Sequence, residues 1–208
     1  MTHTPIILFA IGLAVLALPG CGSGENRNAA TAEAATSVRV DVGKSKQQLD
    51  AFVSSLKGVR DASDSADVGK LRADMSTTAD KLRSSLADTG AASDSAVATG
   101  RDQITRWHKD ADAFTDAGLR ESSGKREAEL RRSVDELATS NAGLKTTSTA
   151  YLERVTQALS ALDLDPSRKG VDSIKTVVTK LVDDEPALRS ALTEVAARSD
   201  AVRAVISP

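Results

Sequence analysis

Residues 38–59 read VRVDVGKSKQQLDAFVSSLKGV, and this stretch predicts the fold. Its apolar side chains recur in alternating steps of three and four residues, with Ser45 in the one polar slot. The apolar positions are Val38, Val42, Leu49, Phe52, Leu56 and Val59. This heptad pattern lines one face of a helix, and that face has to pack against other helices. We therefore expect a first helix over about residues 31–60.

A second stripe of the same spacing runs from Val68 to Phe114. It weakens to Ala and Ser around residues 89–95, and its register slips by one residue near Gly90. We predict one helix of about 50 residues, locally unwound or bent near Gly90 and capped by Gly118. Its apolar positions are Val68, Leu71, Met75, Leu82, Leu86, Val97, Ile104, Trp107, Ala111 and Phe114, with Gly100 on the same line.

Two more stripes complete the chain. The third is Leu130, Val134, Leu137, Leu144, Leu152, Val155, Leu159 and Leu162, with Asn141 and Ser148 as polar insertions. The fourth is Val171, Ile174, Val178, Leu181, Leu188, Leu192, Val195, Val202 and Ile206. We predict that Asp165 caps the fourth helix with Pro166 at its first position, and that Pro186 kinks this helix without dividing it.

The composition favours tightly packed helices over a thick globular core. Hydrophobic residues make up 40% of the chain but aromatic residues only 2%, so the apolar content is mostly Ala, Leu and Val. Short turns between long stripes imply antiparallel neighbours. The 27 basic and 29 acidic residues are interleaved and show no basic face, so we expect no nucleic-acid partner. The predicted fold class is all-α: an elongated antiparallel helical bundle, or coiled coil, of about four long helices.

The N-terminus indicates export. Residues 5–19 are almost entirely apolar, a run too short to cross a bilayer comfortably, and they precede Gly20 and Cys21. We assign residues 1–20 to a lipoprotein signal peptide, residues 21–30 to a flexible Gly-rich tether, and residues 31–208 to a helical coiled-coil domain. An uncleaved membrane anchor is the alternative for residues 1–20, and a frayed helix start is the alternative for the tether.

Leu18, Gly20 and Cys21 resemble the lipobox of bacterial lipoproteins, although Pro19 is unusual there and no Lys or Arg precedes the apolar run. The resemblance implies a diacylglycerol on the Cys21 thiol and a place on the periplasmic side of a bacterial membrane. Gly22 in place of Asp favours the outer membrane, by similarity to enterobacterial lipoproteins. Cys21 is the one cysteine of the chain, so no disulfide forms within it and no thiol remains for catalysis.

A second resemblance lies at residues 107–123. Trp107, Asp110, Phe114, Leu119-Arg120 and Ser123 stand at the spacings of a family of bacterial lipoproteins catalogued as domain of unknown function 2959. The likeness extends loosely from about Val38 to the C-terminus and departs after Leu159. It implies the same order of lipid signal, tether and long helices, and it implies no activity.

Residue patterns for catalysis and for cofactors are missing from the sequence. No P-loop, no G-x-G-x-x-G and no G-x-S-x-G motif occurs. His108 is the one histidine after Cys21, and we place neither Asp110 nor Asp112 on its face of the helix. We therefore expect no enzyme, no metal and no cofactor.

The candidate partner or packing anchors are Trp107, Phe114, Leu119 and Arg120. Trp107 is interpreted either as a docking anchor or cavity wall, or as a core plug next to the Gly118 turn, and we place Tyr151 opposite it in an antiparallel pairing. The leading hypothesis is a lipid-anchored, non-catalytic scaffold or interaction protein of the cell envelope, with a protein partner or a second copy of itself. The alternative is a periplasmic ligand-sensing or solute-binding bundle, which needs a cavity near Trp107. The leading hypothesis includes no small-molecule ligand.

Overall fold

The computed structural model describes residues 21–207, and four helices make up nearly all of this part. They are α1 (Cys21–Arg60), α2 (Val68–Asp112), α3 (Ala117–Leu164) and α4 (Arg168–Ile206). The prediction of an all-α antiparallel bundle of four long helices is confirmed. The predicted signal peptide, residues 1–20, lies outside the described residues.

Each helix packs against the next along the chain, and α4 returns to pack against α1. One core therefore runs along the inside of all four helices. The stripes of α1 and α4 are buried as predicted, with Leu49, Phe52, Leu181 and Leu188 fully inaccessible to solvent. The longest helix, α3, has 48 residues, which corresponds to a rod about 70 Å long.

The helix α1 begins earlier than predicted. It starts at Cys21, so residues 21–30 are helical in the structure rather than a flexible tether. Arg27 and Asn28 hydrogen-bond to α2, through Asp110 and Gln103. These contacts, and the strong helix propensity of the Ala residues that follow, extend the helix towards Cys21. No helix within residues 21–207 combines the length and the apolar character needed to cross a membrane.

The helix α2 continues through Gly90 without interruption, so the predicted unwinding is wrong. Small residues accommodate the register slip, since Ser85, Thr89, Gly90 and Ser93 are all buried in the helix interface. The side-chain oxygens of Ser45 in α1 and Thr89 in α2 lie 2.9 Å apart and form a hydrogen bond. This bond satisfies the one polar side chain of the first stripe.

The α2–α3 turn also differs from the prediction. The helix α2 ends at Asp112, and Phe114 lies beyond it. Gly118 is not a C-terminal cap, because it stands in the first turn of α3. Asp116 caps that helix by accepting a hydrogen bond from the Leu119 backbone N–H at 2.8 Å. A side-chain cap at Asp116 stabilises the start of α3 and so sets the position of the turn.

Two positions of the third stripe are displaced by one residue. Tyr151 and Ala158 are buried, whereas Leu152 and Leu159, which the sequence favoured, are half-buried. Steps of three and four residues from Asn141 and Leu144 lead to residues 148, 151, 155 and 158. The position on the helix face therefore decides which side chains are buried, even where the neighbouring leucine is more hydrophobic. Asn141 is buried as expected and donates to the Asp94 carboxylate at 2.8 Å.

The α3–α4 turn corrects the predicted cap. Ser167 is the N-cap residue of α4 and Arg168 its first residue, so Asp165 and Pro166 belong to the turn. Asp165 contributes by accepting a hydrogen bond from the Ser167 backbone N–H at 3.2 Å. Pro186 lies within a single α4, as predicted.

Candidate functional site

At one end of the bundle, the described residues 21–207 provide three helices instead of four. Arg39 of α1 pairs with Asp200 of α4 at 3.3 Å, and Glu136 of α3 pairs with Arg198 of α4 at 2.7 Å. Because the helices are antiparallel, these pairs place Ile206, the end of α4, level with about residue 33 of α1 and about residue 128 of α3. The first turns of α1 and α3 and the last turns of α2 extend beyond α4. We call this part the three-helix end.

Trp107 lies at the three-helix end and is held by α3. Its indole Nε1 donates a hydrogen bond to the Ser123 hydroxyl at 2.7 Å. The Arg126 guanidinium carbon is 5.3 Å from the centroid of the indole, within the range of a cation–π contact. The side chain is half-buried, so Trp107 is neither a closed core plug nor a free surface anchor.

The predicted pairing of Trp107 with Tyr151 is wrong. Tyr151 packs edge-on against Phe52, with ring centroids 6.2 Å apart. Because residue 107 stands beside residue 123, Tyr151 lies 28 residues farther along α3, or about 40 Å away.

A polar cluster that the sequence reasoning missed joins α1 to α2 next to Trp107. The buried Thr31 hydroxyl donates to the Gln103 side-chain oxygen, and the Gln103 amide donates to Asn28. Arg27 pairs with Asp110 at 2.7 Å. A signal was present in the sequence, because Gln103 adjoins Ile104 on the buried stripe, where a polar residue needs a partner.

These residues enclose a groove of about 230 Å³. Its walls combine the Trp107 ring with polar and charged groups from all three helices. The lining residues are Arg27, Asn28, Gln103, Trp107, Asp110, Ala111, Phe114 and Arg126. Arg27 is neutralised by Asp110, whereas Arg126 makes no ion pair within residues 21–207. The groove therefore offers an aromatic surface with one uncompensated positive charge.

The other three candidate anchors lie at or just after the α2–α3 turn, and Phe114 among them also lines this groove. Phe114 is 39% exposed and Leu119 is 59% exposed. Arg120 is exposed and donates to the Phe114 carbonyl oxygen. The sequence placed Phe114 on the inward stripe of α2, but the helix ends two residues before it. Phe114, Leu119 and Arg120 are thus surface residues near Trp107 and do not pack into the core.

The expectation that Asp112 lies off the His108 face of the helix is wrong, and Glu127 is a second acidic neighbour that the sequence did not indicate. Its Nδ1 lies 3.1 Å from Glu127, and its Nε2 lies 3.8 Å from Asp112, which is one turn later on the same helix face. Partial burial opposes the ionisation of Glu127, but hydrogen bonds from Arg131 and His108 outweigh it and lower the pKa of Glu127. Within residues 21–207, no three potential metal-ligating side chains converge on one point.

The lipidation assigned to Cys21 stays a prediction, as does the resemblance to the lipoprotein family. Comparison with protein-family models, with curated proteins and with solved structures finds no match to this chain.

Proposed function

We propose that this chain is a non-catalytic, lipid-anchored scaffold on the periplasmic side of a bacterial membrane, with the outer membrane favoured. The observation that carries the proposal is the start of α1 at Cys21 and its packing onto α2 from Arg27 onward. A lipid on Cys21 would therefore be joined to a rod about 70 Å long through continuous helix. The resemblance of residues 107–123 to a lipoprotein family supports the same location.

The arrangement of the core supports a mechanical role over a catalytic one. The heptad stripes are used for packing between the four helices, and the described large hydrophobic residues that remain exposed are Val40, Phe114, Leu119 and Leu164. Interleaved charges cover the sides of the rod with exposed ion pairs, each of which contributes little to stability. Such a rod holds its two ends at a fixed separation and presents polar sides to a partner.

A homo-oligomer has less support than a different protein partner. Apolar stripes left uncovered would favour association of two copies, but in residues 21–207 four helices bury the stripes within one chain. Sedimentation of the full chain over a wide concentration range tests this point. A constant monomer mass would exclude the self-associating form of the proposal, and a concentration-dependent dimer would restore it.

Replacement of the anchor tests the location. Wild-type chain and Cys21→Ser are expressed in a Gram-negative host, and membranes are separated from the soluble periplasm. The wild type should be found in the membrane fraction with acyl groups on residue 21 by mass spectrometry, and the variant should lack them. An unmodified Cys21 thiol in the wild type would refute the proposal.

Crosslinking in intact cells tests the partner. A photoreactive residue at an exposed side position, such as Asp74 on α2, should capture a discrete envelope protein. The same residue in the Cys21→Ser background should capture it less, because the rod is no longer held at the membrane. Equal capture without the anchor would separate partner binding from anchoring and contradict the scaffold mechanism.

A ligand-binding bundle is the second candidate, and the groove beside Trp107 favours it. The indole and the Arg126 guanidinium would suit a small molecule with an aromatic ring and an acidic group. A thermal-shift screen with such compounds should raise the melting temperature of the wild type and not that of Arg126→Gln. The absence of any shift in the wild type would leave the scaffold as the one supported function.

A further inference from the structure

The α2–α3 turn lies at the same end of the rod as Cys21. The Arg27–Asp110 ion pair, at 2.7 Å, sets α1 and α2 level at that point. Cys21 is six residues before Arg27, about 9 Å along the helix axis, and Ala113 is three residues after Asp110, about 4.5 Å along α2. Both elements therefore project beyond the ion pair in the same direction. We define residues 113–120 as the tip.

The tip carries exposed apolar side chains. Of the four exposed large hydrophobic residues in the described chain, Phe114 and Leu119 lie within the tip, only five residues apart. Leu164 is 87% exposed but ends α3, so it stands at the opposite end of the rod. Exposed Phe and Leu side chains at one end of an anchored rod are well suited to the interfacial layer of a bilayer.

The acidic side chains at positions 110, 112 and 116, around the tip, each have a hydrogen-bond or charged-pair neighbour. Asp110 is paired with Arg27, and the Asp116 carboxylate accepts the Leu119 backbone N–H as the cap of α3. Asp112 lies 3.8 Å from His108. Arg120 has no carboxylate partner within residues 21–207, and its guanidinium, which donates to the Phe114 carbonyl oxygen, keeps further N–H groups that could bind a lipid phosphate.

We infer that the tip is a second contact with the lipid surface, in which Phe114 and Leu119 enter the headgroup layer beside the anchor. The inference rests on the proposed anchoring at the Cys21 end. It holds for an acylated Cys21, where the lipid is attached to residue 21 itself, and for an uncleaved apolar segment, where residues 5–19 end two residues before Cys21. Two points of contact would fix the inclination of the rod, whereas one anchor alone would let it tilt freely.

Depth-dependent quenching tests this contact. The full chain is purified from bacterial membranes and reconstituted in vesicles that contain phosphatidylcholine brominated on its acyl chains. Two variants each carry one tryptophan: Trp107→Phe with Phe114→Trp, and Trp107→Phe with Leu164→Trp as the matched control at the opposite end. The first should lose most of its fluorescence and shift to shorter wavelength, and the second should show neither change.

The outcomes separate the inference from the proposed function. Unquenched residue 114 in protein that floats with the vesicles would overturn the tip contact and leave the anchoring intact. Equal quenching at residues 114 and 164 would also overturn it, since the rod would then lie flat. Protein that does not float with vesicles would refute the anchoring and the inference together.

A second measurement covers the case in which Trp107→Phe disturbs the fold. A nitroxide attached at Phe114→Cys keeps Trp107, and an acylated Cys21 leaves the new thiol as the one site of labelling. Oxygen, which concentrates in lipid, should broaden its spectrum more than a water-soluble nickel complex does. The reverse order would contradict the contact.

Discussion

Tyr151 shows how a residue of the core can be well packed and still carry an energetic cost. Its side chain is 3% exposed and meets the edge of Phe52, yet the hydroxyl has no hydrogen-bond partner among the described residues. Burial, with a smaller contribution from the negative charge of Glu185, raises the pKa of Tyr151. An unsatisfied buried hydroxyl is unfavourable because it has given up its water.

Tyr151→Phe should therefore raise the free energy of unfolding, by up to about 1 kcal/mol in urea denaturation at neutral pH. The gain in stability over the wild type should be larger above about pH 10. There the unfolded wild type loses the phenolic proton of Tyr151, whereas the folded wild type retains it. Tyr151→Ala is the control and should lose about 3 kcal/mol or more through the cavity that it leaves. A loss of stability in Tyr151→Phe would indicate that the hydroxyl has a partner.

Gly170 and Gly143 should respond oppositely to the same substitution. A methyl group on Gly170 would overlap the Asp165 carbonyl oxygen of the α3–α4 turn, whereas one on Gly143 would meet nothing within 4 Å. Gly143→Ala should stabilise the protein by about 0.5–1 kcal/mol through helix propensity. Gly170→Ala should destabilise it by about 1–3 kcal/mol or more, because backbone must move. Thermal unfolding of the two variants checks the contrast, and a stabilising Gly170→Ala would show that the turn relaxes freely.

At the scale of one element, α4 contains a proline within its helix, and the packing of α4 against its neighbours compensates for the helix-breaking tendency of that proline. Pro186 is exposed and helical, so its ring adds no core contact while its missing N–H removes one hydrogen bond from the helix. The buried Leu181 and Leu188 on either side hold the two halves of α4 in one register.

Pro186→Ala should thus stabilise the protein by about 1–3 kcal/mol, since the helix regains a hydrogen bond and no packing is lost. Pro166→Ala is the matched control, because Pro166 lies in the α3–α4 turn, where its fixed backbone angle lowers the entropy of the unfolded chain. That variant should be unchanged or slightly less stable. Equal effects of the two changes, measured by urea denaturation, would rule out the helical explanation.

At the scale of the whole molecule, the bundle has regions of unequal packing. Four helices enclose the core over most of its length, but α1, α2 and α3 alone form the three-helix end, where Trp107 is half-buried beside the groove. Local stability follows the density of buried apolar contacts.

Backbone amides of residues 26–32 and 105–125 should therefore exchange hydrogen faster than those of residues 75–97 and 174–195. The difference should be visible by mass spectrometry under native conditions, well below global unfolding. Reconstitution in vesicles should slow exchange within the tip if it contacts lipid. Uniform protection along the rod would mean that the three-helix end is as stable as the rest.

Much of this organisation was accessible from the sequence. The heptad stripes of α1 and α4 predicted their buried residues, because a strict alternation of three and four leaves only one face to bury. Composition favoured tightly packed helices over a thick core, and the short turns implied antiparallel order. At the candidate site, the sequence identified Trp107, because it is the one tryptophan of the chain. It did not identify the polar cluster around Gln103 or the acidic neighbours of His108.

The amino-acid sequence by itself determined the class and the number of the helices, since these depend on local periodicity, but it misplaced the start of α1 and the caps assigned to Gly118 and Asp165. The tertiary structure alone decided that α2 passes Gly90 unbroken, that Tyr151 and not Leu152 is buried, and that Trp107 faces Ser123 and Arg126. It also decided that α4 ends short of its neighbours, which opens the groove. These features depend on the relative register of helices far apart in the chain, and register is fixed only when all four helices pack together.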